Sequence, residues 1–249
     1  MTIVYFDCFS GIAGDMTLGA LLDLGVPKKF FLNELKKIPL SGYKIEIINV
    51  EVNHIAAVDV NIIVTEVQHH RSLADITKII QRSRLSSSVK ERSKKIFENL
   101  AWAEHRIHKI PLQQIHFHEV GAVDSILDIV GSVIGLSYLS VEKIYCSPLP
   151  LGHGFVSCEH GILPLPAPAT MELLKGIPVY SVKRTQELVT PTGAAIVKTL
   201  ADHFGELPPM KITRIGYGSG KIKSEYPNIL RIYLGELENK QKKRKKESR

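Results

Sequence analysis

TIVYFDCFSGIAGDM, residues 2–16, contains the two elements from which the fold class is first inferred. Its opening residues are apolar and rich in β-branched and aromatic side chains, a composition typical of a buried strand. Gly11 and Gly14 follow in a loop, and residues 14–25 favour a helix. A strand, a glycine-containing loop and a helix in this order are typical of an α/β architecture.

A second stretch, YKIEIINVEVNHIAAVDVNIIVTEV (43–67), alternates apolar and polar residues as a half-buried strand does. The alternation is interrupted at Asn53 and His54, where we predict the turn of a β-hairpin. Because the strands of a hairpin pair antiparallel, the sheet cannot be purely parallel. We therefore predict an α/β or α+β fold in which helices pack on a mixed β-sheet.

The remaining sequence supplies further helices and short strands. Ser72 is a candidate N-cap, and Pro111 ends a long helix with an apolar stripe. Helices are predicted at 28–37, 73–83, 86–108 and 120–139, with one more after Thr190. Two late strands, MKITRIGYGSGKI and NILRIYLGEL, are predicted with a glycine-rich loop joining them. We expect one domain over residues 1–238, with a subdivision near 68–115 as the alternative.

The net charge of +7 is concentrated at one end of the chain. Residues 239–249 hold seven Lys or Arg and one Glu, which leaves a net charge of +1 for residues 1–238. A body this close to neutral does not favour nucleic-acid binding, and we predict that the basic tail is disordered.

Cysteine usage and hydropathy indicate the compartment. The three cysteines show no CxxC spacing, which argues against a disulfide framework and for a reducing environment. The N-terminus lacks the basic region of a signal peptide, and the longest apolar run is too short to cross a bilayer. We expect a cytoplasmic protein that does not interact with membranes.

HFHEVGAVDSILDIVG, residues 116–131, is the strongest candidate for metal chemistry. In an extended segment His116 and His118 project to the same side, and Glu119 adds a carboxylate. Asp124 and Asp128 are four residues apart on one face of an otherwise apolar helix, where carboxylates need a cation or basic partners. A metal or cofactor site is favoured, ion pairs are the alternative, and the sequence does not select the metal.

Three segments are candidates for anion binding. Asp7 ends the first strand and Asp15 begins the following helix, where free backbone N–H groups can bind an anion. TPTG (190–193) places two hydroxyls and a glycine at a helix start, and a plain N-cap is the alternative. GYGSGK combines three glycines with Lys221 but lacks Walker spacing, and an ordinary hairpin loop is the alternative.

Taken in order, DCFSGIAGDM, HFHEVGAVDSILDIVG, HGILPLPAPAT, ELVTPTGAA and GYGSGK resemble the motifs of the LarC family. The resemblance covers residues 1 to about 236, the N-terminal part of the family's length. It implies a CTP-dependent nickel chelatase, or cyclometallase, of the lyase class that completes the nickel-pincer cofactor of lactate racemase. The implied substrate is pyridinium-3,5-bisthiocarboxylic acid mononucleotide, in which nickel–carbon and nickel–sulfur bonds form, and Mn²⁺ or Mg²⁺ would assist the nucleotide.

The resemblance and the loop chemistry together assign roles to particular residues. Catalytic roles are expected for Asp7, Asp15 and Glu119. Substrate or cofactor binding is expected for Ser10, Gly11, Gly14, Thr190, Thr192, Gly193 and Lys221. Metal binding is expected for His116, His118, Glu119, Asp124, Asp128 and His160. The division between metal ligands and substrate contacts is our own hypothesis.

The resemblance also implies partners. These are a C-terminal half that is expected to bind CTP and, indirectly, the lactate racemase apoprotein; we further expect a homo-oligomer. A lysine-rich end is expected if this chain is the unshifted product of a frameshifted gene. The sequence departs from the family in a His-rich insertion near 68–72, of which only His69 and His70 remain, so high-capacity nickel storage is not expected. The alternatives are a noncatalytic nickel- or substrate-binding subunit and a metal-dependent hydrolase.

Overall fold

A computed structural model describes residues 1–66, 71–117, 122–158 and 161–238. Several sequence predictions lie outside these ranges: those for His69, His70, His118, Glu119, His160 and the tail 239–249. The side chain of His116 also lies outside the described part of the structure.

A mixed sheet of seven strands forms the centre of the described fold. Its strands, in spatial order, are β11 (His203–Phe204), β6 (Lys143–Cys146), β1 (Thr2–Asp7), β13 (Ile229–Leu237), β12 (Met210–Ser219), β3 (Ile55–Val64) and β2 (Tyr43–Val52). β1 pairs parallel with β6 and antiparallel with β13, and β2 pairs antiparallel with β3. The predicted mixed sheet with one hairpin is therefore confirmed.

Short strands form three small ladders beside this sheet. β4 (Arg71–Ser72) pairs with β5 (His116–Phe117), β7 (Leu149–Leu151) with β10 (Val179–Ser181), and β8 (Phe155–Cys158) with β9 (Gly161–Pro164). β7, β8 and β9 lie in the Pro- and Gly-rich segment of the second half.

The helices are layered against the sheet. They are α1 (Gly14–Asp23), α2 (Lys28–Leu35), α3 (Leu73–Arg82), α4 (Ser87–His108), α5 (Val123–Tyr138), α6 (Pro168–Leu173) and α7 (Pro191–Leu200), with a 3₁₀ turn at Leu112–Gln114. α1 lies directly on β12 and β3, α5 packs against α1, and α4 contacts α5, α6 and α7. None of the helices in the described ranges is both long and apolar enough to cross a membrane.

Glycines in β12 allow α1 to approach the sheet closely. A Cβ added to Gly218 would lie 2.6 Å from the backbone N of Ala20, and one added to Gly216 would lie 2.7 Å from Cγ of Leu24. β12 covers most of the predicted strand MKITRIGYGSGKI, which ends three residues earlier than its sequence pattern. Residues 216–219 belong to β12, and the loop covers 220–228.

The central strand β1 carries different chemistry on its two faces. Val4 and Phe6 belong to the hydrophobic core between the sheet and the helices. Because side chains alternate along a strand, Tyr5 and Asp7 project from the opposite face. There the ring of Tyr5 stacks on Tyr233 with a centroid separation of 6.0 Å. Asp7 is therefore displayed on the face of the sheet away from α1.

The local signals in the sequence are largely confirmed. Asn53 and His54 form the hairpin turn with φ angles of 49° and 63°. Ser72 caps α3 in a capping box with Asp75, which satisfies two helix-end donors. In the predicted apolar stripe of α4, only Ile107 is substantially exposed, because it lies in the helix's last turn.

Candidate functional site

Three aspartates from two helices line one cleft of about 280 Å³. Asp15 lies in the first turn of α1, and Asp124 and Asp128 lie on one face of α5. The remaining lining residues are Ala13, Gly14, Val60, Asn61, Ile62, Ser125, Thr190, Thr192 and Lys221. We call this the acidic cleft. It brings together residues predicted from four separate motifs.

Asp128 is the most constrained of the three acids. Its Oδ1 atom is inaccessible to solvent and has no hydrogen-bond partner among the described residues. Burial raises its pKa well above the usual value, and the charges of Asp15 and Asp124 raise it further. A buried acceptor without a partner costs about 1–3 kcal/mol, so this carboxylate is set up for a cation or a hydrogen-bond donor.

Lys221 compensates part of the negative charge. Its Nζ binds Asp59 Oδ1 and the carbonyl of Val60, and lies 3.9 Å from Asp15 Oδ2. Burial raises the pKa of Asp15, and the charge of Lys221 lowers it. Lys221 therefore lies between acids on two sides, and its single positive charge does not neutralise the three aspartates of the acidic cleft.

Two helix N-termini open into the acidic cleft. Thr190 caps α7 by accepting a hydrogen bond from the N–H of Gly193, so the predicted N-cap role is confirmed. Thr192 Oγ1 lies 3.0 Å from Thr190 Oγ1. At α1 the cap position is Ala13, which offers no side-chain hydrogen bond to the first N–H groups. Helix starts carry partial positive charge and favour anions such as phosphate.

Asp7 and Ser10 belong to a different part of the structure. Asp7 Oδ2 accepts hydrogen bonds from Arg231 Nε at 2.9 Å, Arg231 Nη2 at 2.6 Å and the hydroxyl of Tyr233 at 3.0 Å. Ser10 is buried, and its Oγ accepts from Arg184 Nη1 at 2.8 Å. Neither residue lines the acidic cleft, so the predicted residues of the first loop divide between two locations.

Three of the predicted glycines make backbone contacts. Gly11 has a φ of +101°, and a Cβ there would lie 2.6 Å from the carbonyl carbon of Leu188. Gly193 packs in the same way against the carbonyl of Ile12, and Gly14 lies against Asp128. These contacts explain why the positions are glycine. Their predicted role in binding a cofactor stays a prediction.

The sequence analysis did not identify Asp59, Arg184 or Arg231. Asp59 lies at an alternating position of β3 beside Lys221, and Arg231 interrupts the apolar run of β13. A charged residue within a strand was the available signal in both cases. Arg184 lies in an irregular segment, where no periodicity marks it.

The described residues contain no preformed group of three or more His, Cys, Asp and Glu side chains suited to one metal ion. The backbone of His116 is in strand β5, as the extended HFH pattern predicted, and Phe117 beside it is buried. On α4, Nε2 of His108 lies 3.2 Å from Oε2 of Glu104. Cys8 and Cys146 are buried and free.

Comparison with known proteins gives the family. A family model described as nickel insertion protein matches residues 4–248. A Geobacillus kaustophilus protein named pyridinium-3,5-bisthiocarboxylic acid mononucleotide nickel insertion protein is 49% identical over 247 residues, which cover 95% of this chain and 60% of the relative. A protein of the same name from Acetivibrio thermocellus is 49% identical over 253 residues, which cover 97% of this chain and 62% of that relative.

A third relative, from Dictyoglomus thermophilum, is 54% identical over 237 residues, and its name assigns nickel insertion provisionally. The chain thus spans about three fifths of the length of these relatives. No solved structure matches the chain. The family model and the relatives agree, and the chain belongs to the nickel insertion protein family.

Proposed function

We propose that this chain takes part in inserting nickel into pyridinium-3,5-bisthiocarboxylic acid mononucleotide. Family membership and the names of two relatives support the reaction class. The observation that carries the proposal is Asp128, a carboxylate whose inaccessible, unpartnered Oδ1 belongs to a cleft shared with two further acids. Such a group is suited to a divalent cation.

The donors in the acidic cleft fit a hard cation. Carboxylates and hydroxyls are the ligands that Mg²⁺ and Mn²⁺ prefer, and Asp15, Asp124 and Asp128 would supply them. When bound, such an ion would neutralise phosphate charge. The N-termini of α1 and α7 would bind phosphate oxygens through backbone N–H groups, and Thr192 would add a hydroxyl donor.

Nickel, the ion to be inserted, calls for softer donors. Imidazoles suit nickel better than carboxylates do, so we propose that His116, His118 and His160, with Glu119, hold it before insertion. Asp7, which ends β1 and lies outside the acidic cleft, is also proposed to take part in the reaction. CTP is proposed to bind the C-terminal half found in the longer relatives, and the product would serve lactate racemase in the cytoplasm.

The test uses the purified full chain and two cations. We expect Mn²⁺ binding, measured by electron paramagnetic resonance, to weaken at least tenfold in Asp128→Asn and to be unaffected in Glu98→Gln, an exposed carboxylate on α4. We expect the double variant His116→Ala/His118→Ala to lose nickel binding while keeping Mn²⁺ binding. Equal Mn²⁺ affinity in all variants would remove the acidic cleft from the proposal.

Activity is tested separately. The chain is incubated with mononucleotide, CTP, Ni²⁺ and Mn²⁺, with and without the C-terminal half of a relative, and the nickel-containing product is detected by mass spectrometry. Product that depends on this chain and disappears in Asp128→Asn would support the proposal. Product that forms equally without this chain would contradict it.

A further inference from the structure

Strand β2 is an open edge of the central sheet. It ends the spatial order of the strands, with β3 on one side and no described strand on the other. It runs for ten residues in unbroken register with β3, without a bulge or a proline. No described helix packs along its outer side. An edge of this length and regularity can pair with another strand unless its side chains prevent the pairing.

The outward backbone groups of β2 belong to its odd-numbered residues. The N–H of Thr65 donates to the carbonyl of Gly42, which lies opposite it where the β2–β3 register is extended by one residue. Because hydrogen-bonded and non-hydrogen-bonded pairs alternate in an antiparallel ladder, even-numbered residues bond to β3. Residues such as Ile45 and Ile47 therefore direct their N–H and C=O groups outward. The carbonyl of Ile47 accepts from the exposed Lys28 Nζ at 3.0 Å, which agrees with this direction.

The two faces of β2 carry different side chains along this segment. Tyr43, Ile45 and Ile47 are half-buried and pack against the core. Lys44 and Glu46 alternate with them on the other face, are exposed, and form no ion pair with another described residue. Both lie opposite uncharged residues of β3. A positive and a negative charge two residues apart are thus available to a partner strand outside the hairpin.

This charge pattern is self-complementary. When two copies of β2 pair antiparallel about a two-fold axis at Ile45, Lys44 of each copy lies opposite Glu46 of the other. On the core side, the same register sets Tyr43 of one copy opposite Ile47 of the other. An axis at Glu46 would oppose two glutamates, and an axis at Ile47 would set both charges opposite apolar residues. Of these three registers, the one centred at Ile45 satisfies both faces.

A groove beside the edge fits the same register. Its volume is about 260 Å³, and it is lined by Leu22, Val26, Lys28, Ile47, Asn49 and Val58. Ile47 would face Tyr43 of the second copy, and the Cβ atoms of opposite residues lie about 4.5–5.5 Å apart. A cavity of about 150 Å³ already accommodates a benzene ring, so the groove has room for the tyrosine side chain. The register that pairs the charges therefore also fills the groove.

We propose that two copies of this chain associate through β2, paired antiparallel about Ile45, to form one continuous sheet. Association of this kind is independent of the proposed function, because no metal or nucleotide takes part in it. Residues 60–62 of β3, which line the acidic cleft, lie directly opposite residues 45–47 of β2. The second copy would thus support the strand that forms one wall of the acidic cleft.

Sedimentation velocity of the purified full chain over a wide concentration range tests the proposal. We expect a reversible monomer–dimer equilibrium, because a ladder over residues 43–47 buries less surface than a permanent interface does. Lys44→Glu and Glu46→Lys each set like charges opposite each other twice, so each should weaken the dimer about tenfold. The double variant Lys44→Glu/Glu46→Lys restores opposite charges and should recover the wild-type dissociation constant. Lys95→Glu, at an exposed position on α4, is the matched control.

Tyr43→Ala tests the groove separately and should also weaken the dimer, because the groove is left empty. Circular dichroism checks that each variant is folded. Recovery in the double variant would support the register, because unrelated effects of the two substitutions would add rather than cancel. A wild-type chain that stays monomeric at every concentration would overturn the proposal. A dimer that neither charge reversal weakens, or that the double variant does not restore, would also overturn it, since the contact would then lie elsewhere.

Discussion

Gly14 lies against Asp128 so closely that a Cβ on the glycine would stand 2.5 Å from Cβ of the aspartate and 2.7 Å from its carboxylate carbon. Because Gly14, the first residue of α1, has no side chain, the carboxylate of Asp128 from α5 can occupy the space beside it. The position of that carboxylate depends on the absence of one methyl group, which gives a direct experimental handle on the acidic cleft.

We expect Gly14→Ala to lower the free energy of unfolding by about 1–3 kcal/mol, because the methyl group and the carboxylate cannot share the space. Urea denaturation measures the change. In the double variant Gly14→Ala/Asp128→Gly the clash is relieved, because glycine removes the Cβ atom as well as the carboxylate, so the two losses should not add. Strictly additive losses would show that the two side chains do not compete for one volume.

Asp128→Asn should stabilise the protein at neutral pH. Burial raises the folded-state pKa of Asp128 above its ordinary value of 3.8, so between the two pKa values the folded state holds a proton that the unfolded state releases. Stability contributed by that proton is complete below the unfolded pKa and is lost as pH rises through the folded pKa. Each pKa unit is worth about 1.4 kcal/mol.

The advantage of Asp128→Asn over wild type is therefore expected to be largest near neutral pH and to vanish as the pH falls towards 3.8. Unfolding midpoints in urea across this range measure it. Glu98→Gln, which changes an exposed carboxylate on α4, is the matched control. A difference between wild type and Asp128→Asn that is the same at every pH would contradict the assignment.

Lys221→Met should raise the pKa of both Asp15 and Asp128. Burial is the main cause of elevation in each case, and the charge of Lys221 lowers both pKa values. Carboxyl carbon shifts in NMR titrations measure the two pKa values, and Lys223→Met serves as the control. Because Lys221 is half exposed, the loss of stability should be only about 0.5–1 kcal/mol. Unchanged titrations would show that Lys221 does not act on the cleft.

Asp7→Asn tests the second location. Burial raises the pKa of Tyr233 to about 12, and the charge of Asp7 contributes to that elevation. We expect the variant to lower the pKa of Tyr233, measured by tyrosinate absorbance, with Tyr233→Phe identifying the signal. Mn²⁺ binding should stay unchanged, since Asp7 does not line the acidic cleft. Loss of Mn²⁺ binding in this variant would indicate that Asp7 and the acidic cleft belong to one site.

The fold was predictable where the pattern was local. The hairpin turn at Asn53 and His54, the cap at Ser72 and the helix that carries Asp124 and Asp128 all follow from short-range signals. Why GYGSGK carries so many glycines was not visible in the sequence, because glycine is disfavoured in strands. At Gly218 the reason is tertiary: α1 packs so close to β12 that a larger side chain has no room.

The sequence identified the individual aspartates of the acidic cleft, but it did not show that they lie together. Acids at a helix start or four residues apart on an apolar helix are visible in a sequence, and Asp15, Asp124 and Asp128 were found in this way. That the three line one cleft depends on the packing of α1 against α5. Asp7 faces away from the acidic cleft because side chains alternate along β1. Phe6 points into the core, and Asp7 therefore projects from the other face of the sheet.

The backbone connection between the first loop and the start of α7 ties together two segments that are far apart in the chain. Ile12 donates its N–H to the carbonyl of Leu188, and the carbonyl of Ile12 accepts the N–H of Thr190. Neither segment can therefore separate without breaking both hydrogen bonds. Hydrogen exchange at these two amides should consequently proceed through one shared opening event with one protection factor. A ligand bound at the N-termini of α1 and α7 would slow hydrogen exchange at both amides by the same amount. The exchange rates of the two amides would then report ligand occupancy.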